Sequence, residues 1–509
     1  MLDPHAQPLV LPDDEHNRAL VAQAHPDHWV NPKPAGRYNL VVIGAGTAGL
    51  VSAIGAASLG AKVAIVEQHL TGGDCLNFGC VPSKALLSAA RTAAAAREAT
   101  AFGVHVSDVR VDFAAVMQRM RRLRAELAPN DSVERLRDHG VDVYLGAARF
   151  ARADAVDVGG QLLTFSRAVI TTGARSAIPD IPGLHGSEYL TNETVFSLTE
   201  RPRHLVVIGA GPIGCELAQA FRRFGSDVTV IGRERKLLPK EDPDAKAVIA
   251  KVFEREAINV VTGARVLRVE RGTPAHPRVV VYAVGGREDT IAGDALLVAV
   301  GRTPNTDGLN LEAAGVAFDA RGVTVNDALQ TTNRRIYAAG DICSPYKFTH
   351  AADAMARVVL HNALFFGRRK VSALVIPWAT YTDPEVAHIG ISAADAAAMG
   401  DRVTTLTHQL ADVDRAVLDG TAQGFARVHV ERRSGRILGA TMVAAHAGEM
   451  IGEIAVAMSA GLRMSALGFT IHPYPTQSEA WKRLGDEWNR SRLTPGVRSF
   501  LSALLRWRR

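Results

Sequence analysis

The residues best equipped for chemistry are two cysteines separated by four residues, in Gly72-Gly73-Asp74-Cys75-Leu76-Asn77-Phe78-Gly79-Cys80-Val81-Pro82-Ser83-Lys84. Such a pair at the start of an alanine- and leucine-rich helix can close into a small disulfide ring, and the helix dipole stabilises its thiolates. Lys84 follows Cys80 by one helical turn and adds positive charge on the same face. Taken alone, the pair reads as a structural disulfide or two buried thiols, and its neighbours change that reading.

The elements that must position the pair begin with Tyr38-Asn39-Leu40-Val41-Val42-Ile43, an apolar run of the kind that forms a buried parallel strand. It ends in Gly44-Ala45-Gly46-Thr47-Ala48-Gly49, and a second strand, Ala61-Lys62-Val63-Ala64-Ile65-Val66, ends on Glu67. Strand, glycine turn (Gly44, Gly46, Gly49), helix and terminal acid together make a dinucleotide fingerprint, with pyrophosphate on the helix N-terminus and Glu67 on the ribose. Glu67 lies only eight residues before Cys75, which predicts thiols beside the bound cofactor.

A second fingerprint follows the strand His204-Leu205-Val206-Val207-Ile208, with Gly209, Gly211 and Gly214, and predicts a second nucleotide site inserted inside the first. Its next strand ends in Gly232-Arg233-Glu234-Arg235, without the usual terminal acid. Arg233 and Arg235 favour a 2′-phosphate and hence NADPH, while Glu234 could take the acid's role and leaves NADH open. Cys215 reads as a small packed side chain.

These motifs resemble the flavin-dependent pyridine nucleotide-disulfide oxidoreductases: glutathione reductase, dihydrolipoamide dehydrogenase and mercuric reductase. The resemblance implies FAD in the first fold, Cys80 as the flavin-facing charge-transfer thiol and Cys75 as the interchange thiol. It also places Lys84 near the flavin, paired with Glu216, and assigns Gly73 to the FAD site. Thr171-Thr172-Gly173-Ala174 resembles the second FAD contact, Gly301-Arg302-Thr303-Pro304-Asn305 the segment leaving the nicotinamide domain, and Ala338-Ala339-Gly340-Asp341 the third FAD contact through Asp341. The family has threonine where this chain has Asp74, and a carboxylate there is expected to raise the Cys75 pKa.

His472-Pro473-Tyr474-Pro475-Thr476-Gln477-Ser478-Glu479 narrows the acceptor. Disulfide reductases of the family carry His-Pro-Thr-x-Ser-Glu, in which the glutamate orients a histidine acid/base. Aligning Glu479 puts Tyr474 in the histidine's place and His472 two residues early. Mercuric reductases are similar to this chain in having tyrosine there, and their two thiolates take a soft metal ion without a histidine base. By that resemblance Cys75 and Cys80 hold a substrate metal transiently. Mercuric reductases also end in a vicinal cysteine pair, whereas no cysteine follows Cys343 here, so metal delivery should differ. The alternatives are reduction of a small disulfide or dihydrolipoamide chemistry with His472 as base, and, in a different class, a redox-sensing flavoprotein with little turnover.

The expected architecture is α/β: two Rossmann-like dinucleotide-binding domains, the NADPH domain inserted in the FAD domain, plus an α+β dimerisation domain that makes a homodimer. The divisions are a leader (1–36), FAD domain (37–185), nicotinamide domain (186–310), FAD return (311–370), interface domain (371–485) and basic tail (486–509). The leader is expected to be mobile and to fold over the first domain. The arginine-rich run at 119–124 is expected to be a solvated helix face. A net charge of +6 over 509 residues, with no aromatic-interleaved basic patch, points away from nucleic acid. Four cysteines make no secreted disulfide framework, and no membrane span is visible, so a cytoplasmic protein is expected. The apolar-and-basic stretch at 497–509 could touch an anionic membrane surface, with dimer packing or a frayed end preferred.

Overall fold

The computed structural model describes residues 10–509, and the first nine residues of the leader lie outside the described residues. The chain forms two compact units: the described residues up to Arg233 with Val260–Leu374, and Glu234–Asn259 with Val375–Arg509.

In the first unit, the strand Tyr38–Ile43 pairs in parallel with Val63–Glu67 on one side and Gln161–Ile170 on the other. Ile336–Ala338 joins the far side of Gln161–Ile170, so residues from the chain's two halves share one sheet. All four strands run the same way, and their carboxyl ends deliver Gly44, Glu67, Gly173 and Asp341 to one edge, where open α/β sheets bind ligands. The strands are near-continuous Val/Ile/Leu runs because both faces are covered. A second parallel sheet, ordered Asn259–Thr262, Asp227–Gly232, His204–Ile208, Ala295–Val298, carries the second glycine loop. An antiparallel sheet of Ala264–Thr273, His276–Val284 and Arg287–Gly293 is inserted in the chain between its strands Asn259–Thr262 and Ala295–Val298.

Part of the leader is docked rather than mobile. Glu15–Ala24 is a helix whose Leu20, Val21 and Ala24 are buried, with Asp14 capping its N-terminus. Its docking also overturns the expectation for the arginine run. In the helix Phe113–Leu127, Arg121 and Arg124 are buried, not solvated. Arg121 pairs with Asp14, and Arg124 donates to Asn17 Oδ1 (2.6 Å) and to the carbonyl of Asn77 (2.6 Å). Burial pushes Arg124 down to about 10, the expected direction for a cation taken out of water. One arginine thereby ties the leader helix to the cysteine segment.

In the second unit, a five-stranded antiparallel sheet runs Pro377–Thr380, Glu385–Gly390, Ile437–Ala444, Phe425–Glu431, Val403–Gln409. The helices Ala447–Ser459 and Glu479–Ser491 contribute Ile451, Ile454, Trp481 and Leu484 to its core. Glu479–Ser491 runs through the division placed at residue 485, because Leu484 and Trp488 lie on its buried side. The final stretch is not frayed either: Pro495–Trp507 is a helix capped by Thr494, and none of its residues is buried. No helix among the described residues is long and apolar enough to cross a membrane.

Candidate active site

Cys75 lies in the short helix Gly73–Asn77 and Cys80 opens the helix Cys80–Glu98. Both are thiols, Cys75 half-buried and Cys80 exposed. Cys80 Sγ lies 3.4 Å from the hydroxyl of Thr349, which begins the helix Thr349–Leu364. The two thiols act on each other in opposite directions, lowering Cys80 and raising Cys75, which makes Cys80 the more acidic of the pair. Cys80 is brought down to about 6 by its partner thiol, with help from Thr349 and Lys84 and against partial desolvation by the surrounding protein. Cys75 moves up, by the same pairing, by burial and by the charge on Cys80.

Asp131 contributes to the rise of Cys75, and the charge of Asp74 bears on Cys80, which it raises. Asp74 is itself compensated: Arg302 Nη1 lies 3.1 Å from its Oδ2, and Asn192 Nδ2 donates to its Oδ1 at 3.0 Å. Arg302 also lies 3.9 Å from Asp341 and donates to the carbonyl of Ala174. Burial raises the carboxyl of Asp341, and the Arg302 charge opposes that rise. Lys84 Nζ donates to Glu216 Oε2 at 2.8 Å, joining the cysteine helix to the helix Pro212–Phe224 of the second glycine motif. Cys215, on the same helix, is fully buried.

The glycine loops fit nucleotides. A Cβ at Gly44 would lie 2.6 Å from Thr171 O, and one at Gly49 would collide with Gly44 O, while Gly46 meets only Gly73 Cα at 3.7 Å. The second loop repeats this: a Cβ at Gly209 or Gly214 would collide with Ala299 O or Gly209 O, but one at Gly211 would meet nothing within 4 Å. Outer glycines that pack backbone on backbone and a middle one that faces open space are what a close pyrophosphate requires. Glu67 is buried, and its two oxygens accept from the amides of Ala45 (2.6 Å) and His69 (2.8 Å). Burial raises its carboxyl while those amides oppose the shift. Gly173 and Gly301 both have positive φ, at 68° and 145°, and flank the strand pair Ala174–Ser176 and Arg302–Pro304. Arg233 and Arg235 are exposed just beyond the strand Asp227–Gly232.

In the second unit, the structure separates residues that the sequence had grouped. Glu479 does not orient His472: it pairs with Arg483 (2.7 Å), one turn along its own helix. The carboxylate on His472 is Glu453, 2.8 Å from Nε2, on the helix Ala447–Ser459. Tyr474 is 69% exposed and its hydroxyl donates to Asp414 Oδ2 at 2.8 Å. That bond raises the tyrosine's pKa above its ordinary value. Thr349, Asn192, Glu453 and Asp414 escaped the sequence reading. None sits in a recognisable motif, and each partner is 19 to 269 residues away.

Comparison with known proteins places these features. Residues 38–356 match the family described as pyridine nucleotide-disulphide oxidoreductase, and residues 376–484 match its dimerisation domain. A mercuric reductase of Bacillus cereus is 36% identical over 446 residues, covering 87% of this chain and 70% of that protein. A dihydrolipoyl dehydrogenase of Chlamydia muridarum is 34% identical over 451 residues, covering 87% and 95%. The Cu(II) complex of the HOCl-induced flavoprotein disulfide reductase RclA from Escherichia coli superposes with a TM-score of 0.79, at 29% identity, over 89% of this chain and 99% of that one. The two glycine cradles, the cysteine pair between them and the dimerisation fold thus have one origin: the chain belongs to the pyridine nucleotide-disulphide oxidoreductases, FAD-dependent enzymes with NAD(P)H as electron donor.

Proposed function

We propose that the chain is a cytoplasmic homodimeric reductase that passes electrons from NADPH to a soft metal ion such as Hg(II). When bound, FAD supplies the two-electron relay between nicotinamide and thiols. Gly44, Gly46, Gly49, Gly73, Glu67, Gly173 and Asp341 would hold it; Gly209, Gly211, Gly214, Gly301, Arg233 and Arg235 would hold NADPH. Cys80 holds a thiolate at neutral pH, and Cys75 keeps a proton that a soft dication displaces when both sulfurs ligate it. Two electrons then reduce the metal, and NADPH leaves as NADP⁺ plus a proton. Lys84, fixed by Glu216, keeps positive charge beside Cys80.

The observation that carries this reading is Tyr474. Its hydroxyl, tied to Asp414, holds its proton more firmly than a free tyrosine and offers no base for thiol exchange at neutral pH. Reduction of a chelated metal needs no such base. The Hg(II) substrate of the Bacillus relative and the Cu(II) bound by the RclA complex point the same way. A second reading, reduction of a small disulfide or dihydrolipoamide oxidation, is favoured by the His472–Glu453 pair.

The deciding measurement is NADPH oxidation with Hg(II) and excess thiol, against oxidised glutathione, lipoamide and no acceptor. A Hg(II)-dependent rate that survives His472→Asn is expected. A rate confined to disulfides and lost in His472→Asn would transfer the role of base to His472.

The thiolate assignment has its own test. In the reduced enzyme, alkylation of Cys80 by iodoacetamide should titrate with a midpoint at about pH 6, and Lys84→Met should move that midpoint upward. The sign follows from a depressed folded-state pKa: the thiolate's contribution to stability is complete above the ordinary cysteine value and is lost as pH falls through about 6. A midpoint left at the ordinary thiol value would refute the assignment.

A further inference from the structure

The last helix, Pro495–Trp507, has no place in the shared fold. The dimerisation-domain match ends at residue 484, and 99% of the RclA chain is already accounted for by 89% of this one. It is 13 residues long, about 20 Å of helix by the usual rise per residue, and no residue in it is buried. Its apolar residues are Val497, Phe500, Leu501, Leu504, Leu505 and Trp507. At 100° per residue they fill one continuous side, while Arg498, Ser499, Ser502 and Arg506 fill the other. Trp507 is 82% exposed.

Charge identifies what this face meets. Residues 490–509 contain six arginines and no aspartate, glutamate or lysine. The formal net charge of the whole chain is +6, so these arginines carry all of it and the preceding residues balance. A second copy of the helix would cover the apolar side but bring no opposite charge to the arginines, since residues 490–509 contain none. A surface that is apolar beneath and anionic above satisfies both sides at once.

We propose that Pro495–Trp507 is an interfacial helix that docks the reductase on an anionic lipid bilayer, with Phe500, Leu501, Leu504 and Trp507 in the acyl boundary and the arginines among the headgroups. The helix lies on the surface and does not span it, being too short for the hydrocarbon core.

The test is flotation of the full-length, FAD-loaded protein with phosphatidylglycerol-containing vesicles and with pure phosphatidylcholine vesicles. Co-flotation is expected only with the anionic vesicles, and should weaken as salt rises. Arg498→Gln with Arg506→Gln should lower partitioning roughly thirtyfold, from the attraction of each arginine near a charged surface. Leu504→Glu should abolish flotation while NADPH turnover stays at the parent rate, which shows that the chain is folded. The proposal is overturned if the parent fails to float with anionic vesicles, floats equally with phosphatidylcholine, or floats unchanged as Leu504→Glu. It is also overturned if, without lipid, Leu504→Glu lowers the oligomer mass in sedimentation velocity. That result would assign the face to a second copy.

Discussion

Cys75→Ser is expected to lower NADPH-dependent acceptor reduction on the order of 10³-fold or more, the scale of losing an essential nucleophile, while leaving the Cys80 thiolate in place. The hydrogen bond from residue 75 is the largest influence lowering Cys80. A serine hydroxyl can still donate that bond, but it can neither form a disulfide nor hold a soft metal. Cys75→Ala removes the donor as well. The two variants should therefore be equally inactive with acceptor and differ in alkylation: the Cys80 midpoint stays near its parent value in Cys75→Ser and rises in Cys75→Ala. Equal midpoints would mean that Thr349 and Lys84, not the partner thiol, set the thiolate.

That contrast marks how far the sequence could be read. The glycine loops, Glu67 and the cysteine pair are local patterns, and their chemistry follows from spacing that a strand–turn–helix imposes. The Lys84–Glu216 pair spans 132 residues and was legible only through resemblance. What surrounds the thiols was not legible. Asp74 read as a threat to Cys75 because its neighbour in the chain was known and its neighbours in space, Arg302 and Asn192, were not. Arg121 and Arg124 read as solvated for the same reason: the leader helix that buries them lies more than a hundred residues away in the chain. The motif around Tyr474 misled differently. A family pattern supplied Glu479 as the partner of a histidine, but shifting the histidine two residues moved it to Glu453 on another helix. Periodicity cannot report such an exchange, because both glutamates occupy ordinary helical positions.

Arg302→Met is the structural counterpart of losing the thiol. The Arg302 side chain is only 12% exposed and stands between two carboxylates, 3.1 Å from Asp74 and 3.9 Å from Asp341. Removing it leaves both negative charges facing each other in a partly dry site, and breaking such a buried arrangement from one side costs several kcal/mol. Asp74 is 39% exposed and partly screened by water, so a loss of about 2–3 kcal/mol at neutral pH is expected, below the fully buried case. The pH dependence carries the sign. Burial already raises Asp341, and without Arg302 it should rise further. A carboxyl whose folded pKa lies above its unfolded value favours folding when protonated, so the variant's deficit should shrink as pH falls and grow as pH rises. Unfolding followed at several pH values should show that slope, with FAD retention falling in parallel because Asp341 is among the residues proposed to hold FAD. Adding Asp74→Asn to Arg302→Met should recover part of the loss, since it deletes one of the opposed charges, and Arg302→Lys should recover part by restoring the positive one. A deficit that ignores both pH and Asp74→Asn would reduce Arg302 to a packing residue; a deficit that follows them makes it the counter-ion that lets this chain carry aspartate beside its reactive thiol.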